Sequence, residues 1–456
     1  MLKAQNDPIP EVKQLTNAVL NAKRKLNGPP LLTTTDLNER LEASFVELTS
    51  ETEPHKVVCP VYDTESSDRL FAFFTTRHLL SNLSSVGANT LQTDGTYKLT
   101  YKGNILITLA VNDKARRLHP VGVAIIGKKE DAIVYEHAVA AIATSLQKAG
   151  LPDYDPDAVM SDGDPAITAA VAISFSNARR LTCYYHLKKQ VLKRMGSKKV
   201  PKNRRNAILD EIKSLQLSCS DPIFSSAARQ LLQRWKQLGL KMFARYFKKV
   251  WIKGPLRYWY EGAALGTVST NNGLESLHGR IKRFGTLRKK MAIGSFIKEM
   301  DRLIEEWSRA SETHTFQSVP SRTIPLEVKA FHWSEDAFNK DFVAPQLRTG
   351  TYFVPGSFAN EMSFKSYGRC DLKRRFKTFG HFVVWSKSYY RVFCSSENLL
   401  LCTCASSAKR FICKHSIAIE RMKFDIDVSL KAKALPIDFR SKRGRPKFVS
   451  DALSID

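Results

Sequence analysis

The sequence predicts an α/β protein, with a mixed-sheet core, an all-helical block interrupting it and a small zinc-binding unit after it. Three observations carry this reading. Short strand-like runs come first in close succession and then alternate with helical ones. A long basic stretch repeats its apolar residues only at helical spacing, and three cysteines and a histidine crowd together near the C-terminal end. The 456 residues carry 71 Lys plus Arg against 44 Asp plus Glu, a net charge of +27 that calls for a polyanionic partner, nucleic acid ahead of acidic membrane. A hydrophobic fraction of 43% excludes wholesale disorder, and eight cysteines are too sparse for a disulfide scaffold. The N-terminal residues lack an apolar signal region, and no run approaches the roughly 18 apolar residues of a membrane helix. The expectation is a soluble, nuclear protein.

Residues 1–70 read as a polar leader, with Pro8, Pro10, Pro29 and Pro30 and helical periodicity only at Glu11–Leu26 and Thr35–Leu48. A short helix over Thr76–Ser84 then leads into strands at Thr93–Tyr101, Ile105–Val111 and Val121–Ile126, whose tight connections describe an antiparallel meander. Ala132–Lys148 is helical and stops before Gly150, a good helix-ending residue. A strand at Ala158–Ser161, a helix at Pro165–Ala178 opened by proline, and an apolar run at Leu181–Tyr185 follow. Three antiparallel strands, then helix, strand, helix, strand, is the order expected of a ribonuclease H-like mixed-sheet core. That core is expected over residues 71–315.

Inside it, residues 188–265 are helical and basic. Lys188–Lys213 alone holds ten Lys or Arg against Asp210 and Glu211, and Trp235, Trp251 and Trp259 supply bulk. Helical periodicity resumes from Asn272 through Trp307. Prolines at 320, 325, 345 and 355 punctuate a C-terminal region, 316–430, and residues 431–456 form a basic tail.

Three carboxylates stand where metal-dependent phosphoryl transfer would need them, at strand ends and on a facing helix. Asp94 opens the Asp-Gly-Thr-Tyr run of the first meander strand, and Asp162 lies where the strand Ala158–Ser161 ends. Glu275 is one turn into a helix that Asn271 or Asn272 would cap. Singly, each has a plainer reading, because Asp-Gly is a common turn pair and an acid in a first helical turn suits the helix dipole. Together they make a candidate catalytic triad. Asp164 is a substitute for Asp162, although it precedes proline and sits further past the strand. Arg280, Lys282 and Arg283, about two turns beyond Glu275, are candidates to neutralise DNA phosphates.

Cys402-x-Cys404, eight residues, then Cys413-x-His415 supplies four ligands for one tetrahedral zinc. Four protein ligands leave no open position, so the zinc is structural. The spacing is expected over a finger at about residues 390–420. In the tail, Arg443-Gly444-Arg445-Pro446 looks like an AT-hook core, whose arginines would enter a narrow minor groove, and serves equally well as a nuclear-import signal.

Read in order, Asp94-Gly-Thr-Tyr-Lys, Ser161-Asp-Gly-Asp-Pro, Cys183-x-x-His186, and Thr270-Asn-Asn-x-x-Glu-x-x-His with Lys282 resemble the catalytic core of Mutator-like (MULE) transposases. The Cys402–His415 cluster resembles the SWIM zinc finger that often follows that core. The resemblance spans residues 70–420. It implies a DDE transposase that cleaves DNA at element ends and transfers the 3′ ends to target DNA, with Asp94, Asp162 and Glu275 holding two Mg²⁺ or Mn²⁺ ions. It further implies a ribonuclease H-like fold, a family insertion in the basic helical block, a site-shaping or DNA-contacting pair in Cys183 and His186, double-stranded DNA as partner, and a homo-oligomer. Family members often carry a zinc-containing DNA-binding domain ahead of the core; only Cys59, with His55 and His78, precedes Asp94 here, and no such finger assembles from them. That departure supports the alternative of a domesticated DNA-binding transcriptional regulator without cleavage. A third reading is a ribonuclease H-like nuclease.

Overall fold

The computed structural model describes residues 11–26, 34–45, 47–64, 70–336, 350–395 and 398–434. Two N-terminal helices, α1 (Val12–Leu26) and α2 (Thr34–Ser44), precede strands β1 (Val58–Asp63) and β2 (Phe71–Thr75) and the short helix α3 (Arg77–Ser81). The meander follows as β3 (Thr90–Thr96), β4 (Ile105–Asn112) and β5 (Leu118–Ile126). Then come α4 (Ala132–Lys148), β6 (Ala158–Ser161), α5 (Pro165–Ser174), β7 (Arg179–Thr182) and α6 (Tyr184–Ser197). All seven strands form one mixed sheet in the order β1-β2-β5-β4-β3-β6-β7, with β6 and β7 parallel to β3 and the remaining pairs antiparallel.

The stretch expected to be a leader therefore contributes an edge strand, β1. Pro60 hides it in the sequence, since a residue that cannot donate to a ladder is tolerated only at an edge or a bulge, and β1 has both, with a register shift between Val58 and Val61. Its partner β2 is missed for the opposite reason: Phe71–Thr75 is buried on both faces and shows no alternation to read.

Alternate side chains along the strands feed two cores. Phe71 and Phe73 of β2 pack with Ile107, Ala124, Tyr135, Ile142 and Val171 under α4 and α5. Ala72 and Phe74 face the other way, toward α10 (Asn272–Arg280) and α11 (Ile293–Thr313), where Leu277, Phe296 and Met300 close the layer. Burying a large apolar side chain contributes about 1.5–3 kcal/mol, so both faces stabilise the sheet substantially. The helical continuity expected from Asn272 to Trp307 is interrupted: α10 ends in a π turn at Ile281–Gly285, and Leu287 and Arg288 take positive φ before α11 begins.

The helical block consists of α6, α7 (Arg205–Gln216), α8 (Asp221–Gln237) and α9 (Lys241–Phe247), with Trp235, Trp251 and Trp259 buried at its centre. Its core is shared with Phe353, Tyr367, Phe379, Phe382 and Trp385 of the C-terminal region, a partnership the sequence did not reveal. A second sheet, ordered β10-β9-β8, is built from β8 (Thr351–Pro355), β9 (Tyr389–Cys394) and β10 (Leu400–Cys402), all antiparallel. Helix α12 (Ile324–Glu335) packs through Leu326 and Ala330 against Ile417 of the helix Lys414–Phe424.

Glu261 lies between these parts, 6% exposed, with its Oε1 accepting from Gln216 Nε2 at 2.6 Å. Burial raises its carboxyl to about 7, against the opposing pull of the Ser269 hydrogen bond and of Lys409 and Arg116. A carboxyl whose folded value exceeds its unfolded one contributes stability below the unfolded pKa and loses it as pH rises through the folded one. The window is thus the ordinary glutamate range up to about 7. Glu261→Gln is expected to match the wild type in denaturant melts near pH 4 and to exceed it near pH 8 by on the order of 2 kcal/mol. Equal stability at both values would contradict this.

Candidate functional site

The sheet register brings Asp94 and Asp162 to one level. On β3 and β6 the last paired residues are Gln92 and Met160, and each aspartate follows its paired residue by two. Asp94 lies within β3 and Asp162 just past the end of the parallel neighbour β6, near enough for the Asp94 charge to act on the Asp162 carboxyl. Asp94 is 8% exposed, and Asp162 is half-buried.

Asn271 anchors the helix that carries Glu275. Its side-chain Nδ2 donates to the Thr93 carbonyl at 3.2 Å, and its backbone N–H donates to Cys183 Sγ at 3.3 Å. The loop ahead of α10 is thereby tied to β3 on one side and to the β7–α6 junction on the other. Asn271 occupies the N-cap position of α10 without making a side-chain cap, since that side chain serves the tie instead. Glu275 follows one turn later, its N–H donating to the Asn271 carbonyl at 3.0 Å.

Two histidines complete the cluster. His278 Nδ1 lies 3.5 Å from Asp94 Oδ2, while its Nε2 lies 3.0 Å from Thr108 Oγ1. His186 Nε2 lies 3.6 Å from Glu275 Oε1, and its buried Nδ1 has no hydrogen-bond partner. His278 was visible in the sequence only as the last letter of a motif; its contact with Asp94 joins residues 184 positions apart, which spacing cannot show.

The carboxylates feel one another. Burial raises the Asp162 carboxyl above its usual range; the Asp164 N–H, donating to its Oδ1 at 3.1 Å, opposes this, and the Asp94 charge adds to it. Burial likewise raises Glu275, with His186 opposing and Asp94 adding. Beneath Asp162 runs Arg180, a buried guanidinium whose Nη2 donates to the Asp162 carbonyl at 2.5 Å; burial lowers it to about 10. Carboxylate oxygens are the hard donors that Mg²⁺ or Mn²⁺ favours.

The remaining sequence candidates separate. Asp164 is engaged as the N-cap of α5, its Oδ1 accepting from Ala166 N–H at 2.7 Å, which makes it a poor stand-in for Asp162. Asp164→Ala should cost about 1 kcal/mol in urea-melt stability. Cys183 is fully buried, and its N–H donates to the Ser161 carbonyl at 2.9 Å, so it joins β6, α6 and α10 from within. Lys282 is half-buried, lowered by burial, and close enough to Asp94 and Lys98 for both charges to act on it. Arg280 and Arg283 are exposed. Arg443 and Arg445 lie outside the described residues.

One group went unforeseen. Glu130 accepts hydrogen bonds from the hydroxyls of Tyr97 and Tyr135, and its Oε1 would lie 2.8 Å from a Cβ built on Gly95. Glycine next to Asp94 thus admits a fourth carboxylate to the flank of the cluster.

At the other end of the chain, the donor atoms of Cys402, Cys404, Cys413 and His415 all lie within 4.8 Å of one another, and all four residues are buried. His415 Nδ1 is 3.8 Å from Cys402 Sγ and 3.7 Å from Cys413 Sγ. Tetrahedral zinc with its usual bond lengths has ligand-to-ligand edges of about 3.5–3.8 Å, so the set fits the metal. Local folding places the ligands: Cys402 ends β10, Cys404 caps the helix Ala405–Arg410, and Cys413 caps Lys414–Phe424. Backbone N–H groups of Ser407 and Ser416 donate to Cys404 Sγ and Cys413 Sγ, each at 3.4 Å, and hold the sulfurs inward. Cys370 and Cys394 stand apart from the cluster.

Residues 90–190 match the family model of the MULE transposase domain. That span includes Asp94, Asp162, Cys183 and His186 and stops short of Glu275 and of the cysteine cluster. No curated protein matches the chain. Among the described residues, no helix is long and apolar enough to cross a membrane.

Proposed function

We propose that this chain is a Mutator-like DNA transposase with a ribonuclease H-like core, in which Asp94, Asp162 and Glu275 form a DDE triad. The observation that carries the proposal is the parallel register of β3 and β6, which sets Asp94 and Asp162 at the same level while Asn271 ties the Glu275 helix over them. The three carboxylates would hold two Mg²⁺ or Mn²⁺ ions, which supply activation of a nucleophilic oxygen and stabilisation of the leaving one when bound.

The chain's own residues do the rest. His278, pinned by Thr108, orients the Asp94 carboxylate, and His186 orients that of Glu275. Cys183 shapes the site from beneath by accepting the Asn271 N–H. Arg180 fixes the Asp162 backbone. Lys282, beside Asp94, offers its ammonium to a phosphate of the bound strand, and the exposed Arg280 and Arg283 extend that basic surface.

The partner is double-stranded DNA, as transposon end and as target, engaged in the nucleus by a homo-oligomer. Cys402, Cys404, Cys413 and His415 would hold structural zinc in a SWIM finger, and Arg443 and Arg445 would add a minor-groove or import signal. The test is cleavage and strand transfer on a labelled DNA end with Mg²⁺ or Mn²⁺. Products that require all three carboxylates support the proposal; tight, salt-sensitive binding without any product would favour the regulator instead.

A further inference from the structure

Exposed aromatic rings stand on the segments that carry the carboxylates and on those joined to them, and cations accompany them. Tyr185, 44% exposed at the start of α6, meets His186 edge-on at 5.6 Å between ring centres, and His186 in turn faces Glu275. On the opposite side β3 runs past Asp94 into the β3–β4 hairpin, where Tyr101 is 66% exposed beside Lys102. That hairpin is fastened to the segment after α10: Tyr101 N–H donates to the Met291 carbonyl at 3.0 Å, and Met291 N–H donates to the Leu99 carbonyl at 2.9 Å.

The same segment carries Phe284, 60% exposed, with the Arg283 guanidinium 5.8 Å from its ring centre. Phe284 lies two residues past Lys282, whose amine feels both Asp94 and Lys98. Lys282, close enough to Asp94 to feel its charge, is thus followed on the same segment by Phe284, and backbone hydrogen bonds at Met291 join that segment to the hairpin that carries Tyr101.

A purely phosphate-binding rim needs cations and gains nothing from large rings held in water. Bases inside a paired duplex keep their faces in the stack and offer these rings no partner. Unpaired bases do, and aromatic platforms interleaved with cations are how unpaired strands are held. We propose that this rim binds unpaired DNA nucleotides next to the scissile bond, with Tyr101, Phe284 and Tyr185 stacking on bases and Lys98, Lys102 and Arg283 meeting phosphates. The inference rests on the transposase reading of the carboxylates and names the form of DNA that their cleft receives.

The experiment compares two fluorescein-labelled DNA probes binding the full-length chain without added divalent metal. One is a fully paired duplex; the other has the same sequence opened into a fork of about eight unpaired nucleotides, the length of strand one such surface holds. The wild type should prefer the fork. Tyr101→Ala and Phe284→Ala should each weaken fork binding about tenfold or more while leaving duplex binding within about twofold. Phe284→Tyr, which keeps a stacking face, should restore the preference, and unchanged thermal midpoints would show the variants folded. Equal wild-type affinity for both probes, or equal losses on both in the alanine variants, overturns the proposal. Because binding needs no cleavage, a chain that prefers the fork but never cuts keeps the rim and defeats the transposase reading. A chain that cuts paired ends with no fork preference does the reverse.

Discussion

Asp94→Asn, Asp162→Asn and Glu275→Gln should each lower DNA cleavage by at least about 10³-fold. Two bound ions contribute several kcal/mol of charge stabilisation to a phosphoryl transition state, and each tenfold in rate corresponds to about 1.4 kcal/mol. Each substitution keeps the shape of the side chain and removes one anionic oxygen from the proposed metal site. None should unfold the protein, because the Asp94 charge raises the carboxyls of both Asp162 and Glu275, so removing a negative charge relieves repulsion. The expected result is loss of product with a thermal midpoint equal to or above the wild type and unchanged binding to the paired probe. His278→Ala should act through Asp94 and leave partial activity that depends more steeply on Mn²⁺ concentration. Retention of full cleavage by any one of the three carboxylate variants would remove that residue from the triad.

The second large effect concerns the zinc unit. Structural zinc in small fingers binds with about 10–16 kcal/mol, much of it inseparable from folding. Among the described residues the cysteine cluster packs with a small buried apolar shell of Trp333, Val354, Val392, Ala418 and Ile419, with Tyr352, Tyr390, Leu400 and Met422 partly buried against it, a small core to hold three buried thiols and an imidazole together unaided. Cys413→Ser should therefore eliminate the zinc, counted at one ion per chain by elemental analysis, and lower the first unfolding midpoint by on the order of 10 °C. Cys370→Ser and Cys394→Ser should keep the metal. Zinc-free protein with an unchanged melting curve would sink this prediction.

What the sequence disclosed was local. Asp162 was legible because a strand followed by Asp-Gly marks its own end, Asp94 because an Asp-Gly pair stands in a strand-like run, although it lies inside β3 and not at its start, and the zinc ligands because all four fall within fourteen residues at paired spacing. The later meander strands and the helices α4 and α5 followed from periodicity, whereas the first meander strand, expected at Thr93–Tyr101, forms at Thr90–Thr96. What stayed hidden was held by long-range contacts. The Asn271 tie to Thr93 and Cys183, the His278 contact with Asp94, and Glu130 seated against Gly95 all depend on which strand lies beside which. Asp164 illustrates a different limit: its sequence context fits a metal ligand as well as a helix cap, and only the hydrogen bond to Ala166 distinguishes them.

The shared core of the helical block has a consequence for synthesis. Trp235 and Phe247 leave the ribosome more than a hundred residues before Phe382 and Trp385, which finish the cluster they belong to. Until then the nascent chain presents an open aromatic surface, the kind of exposed patch that draws chaperones and aggregates when it waits too long. A messenger cut short after α11 would still encode Asp94, Asp162 and Glu275, yet its product would carry that surface permanently uncovered. Such fragments should be cleared by quality control, so that the presence of the three carboxylates alone does not mark a chain that folds.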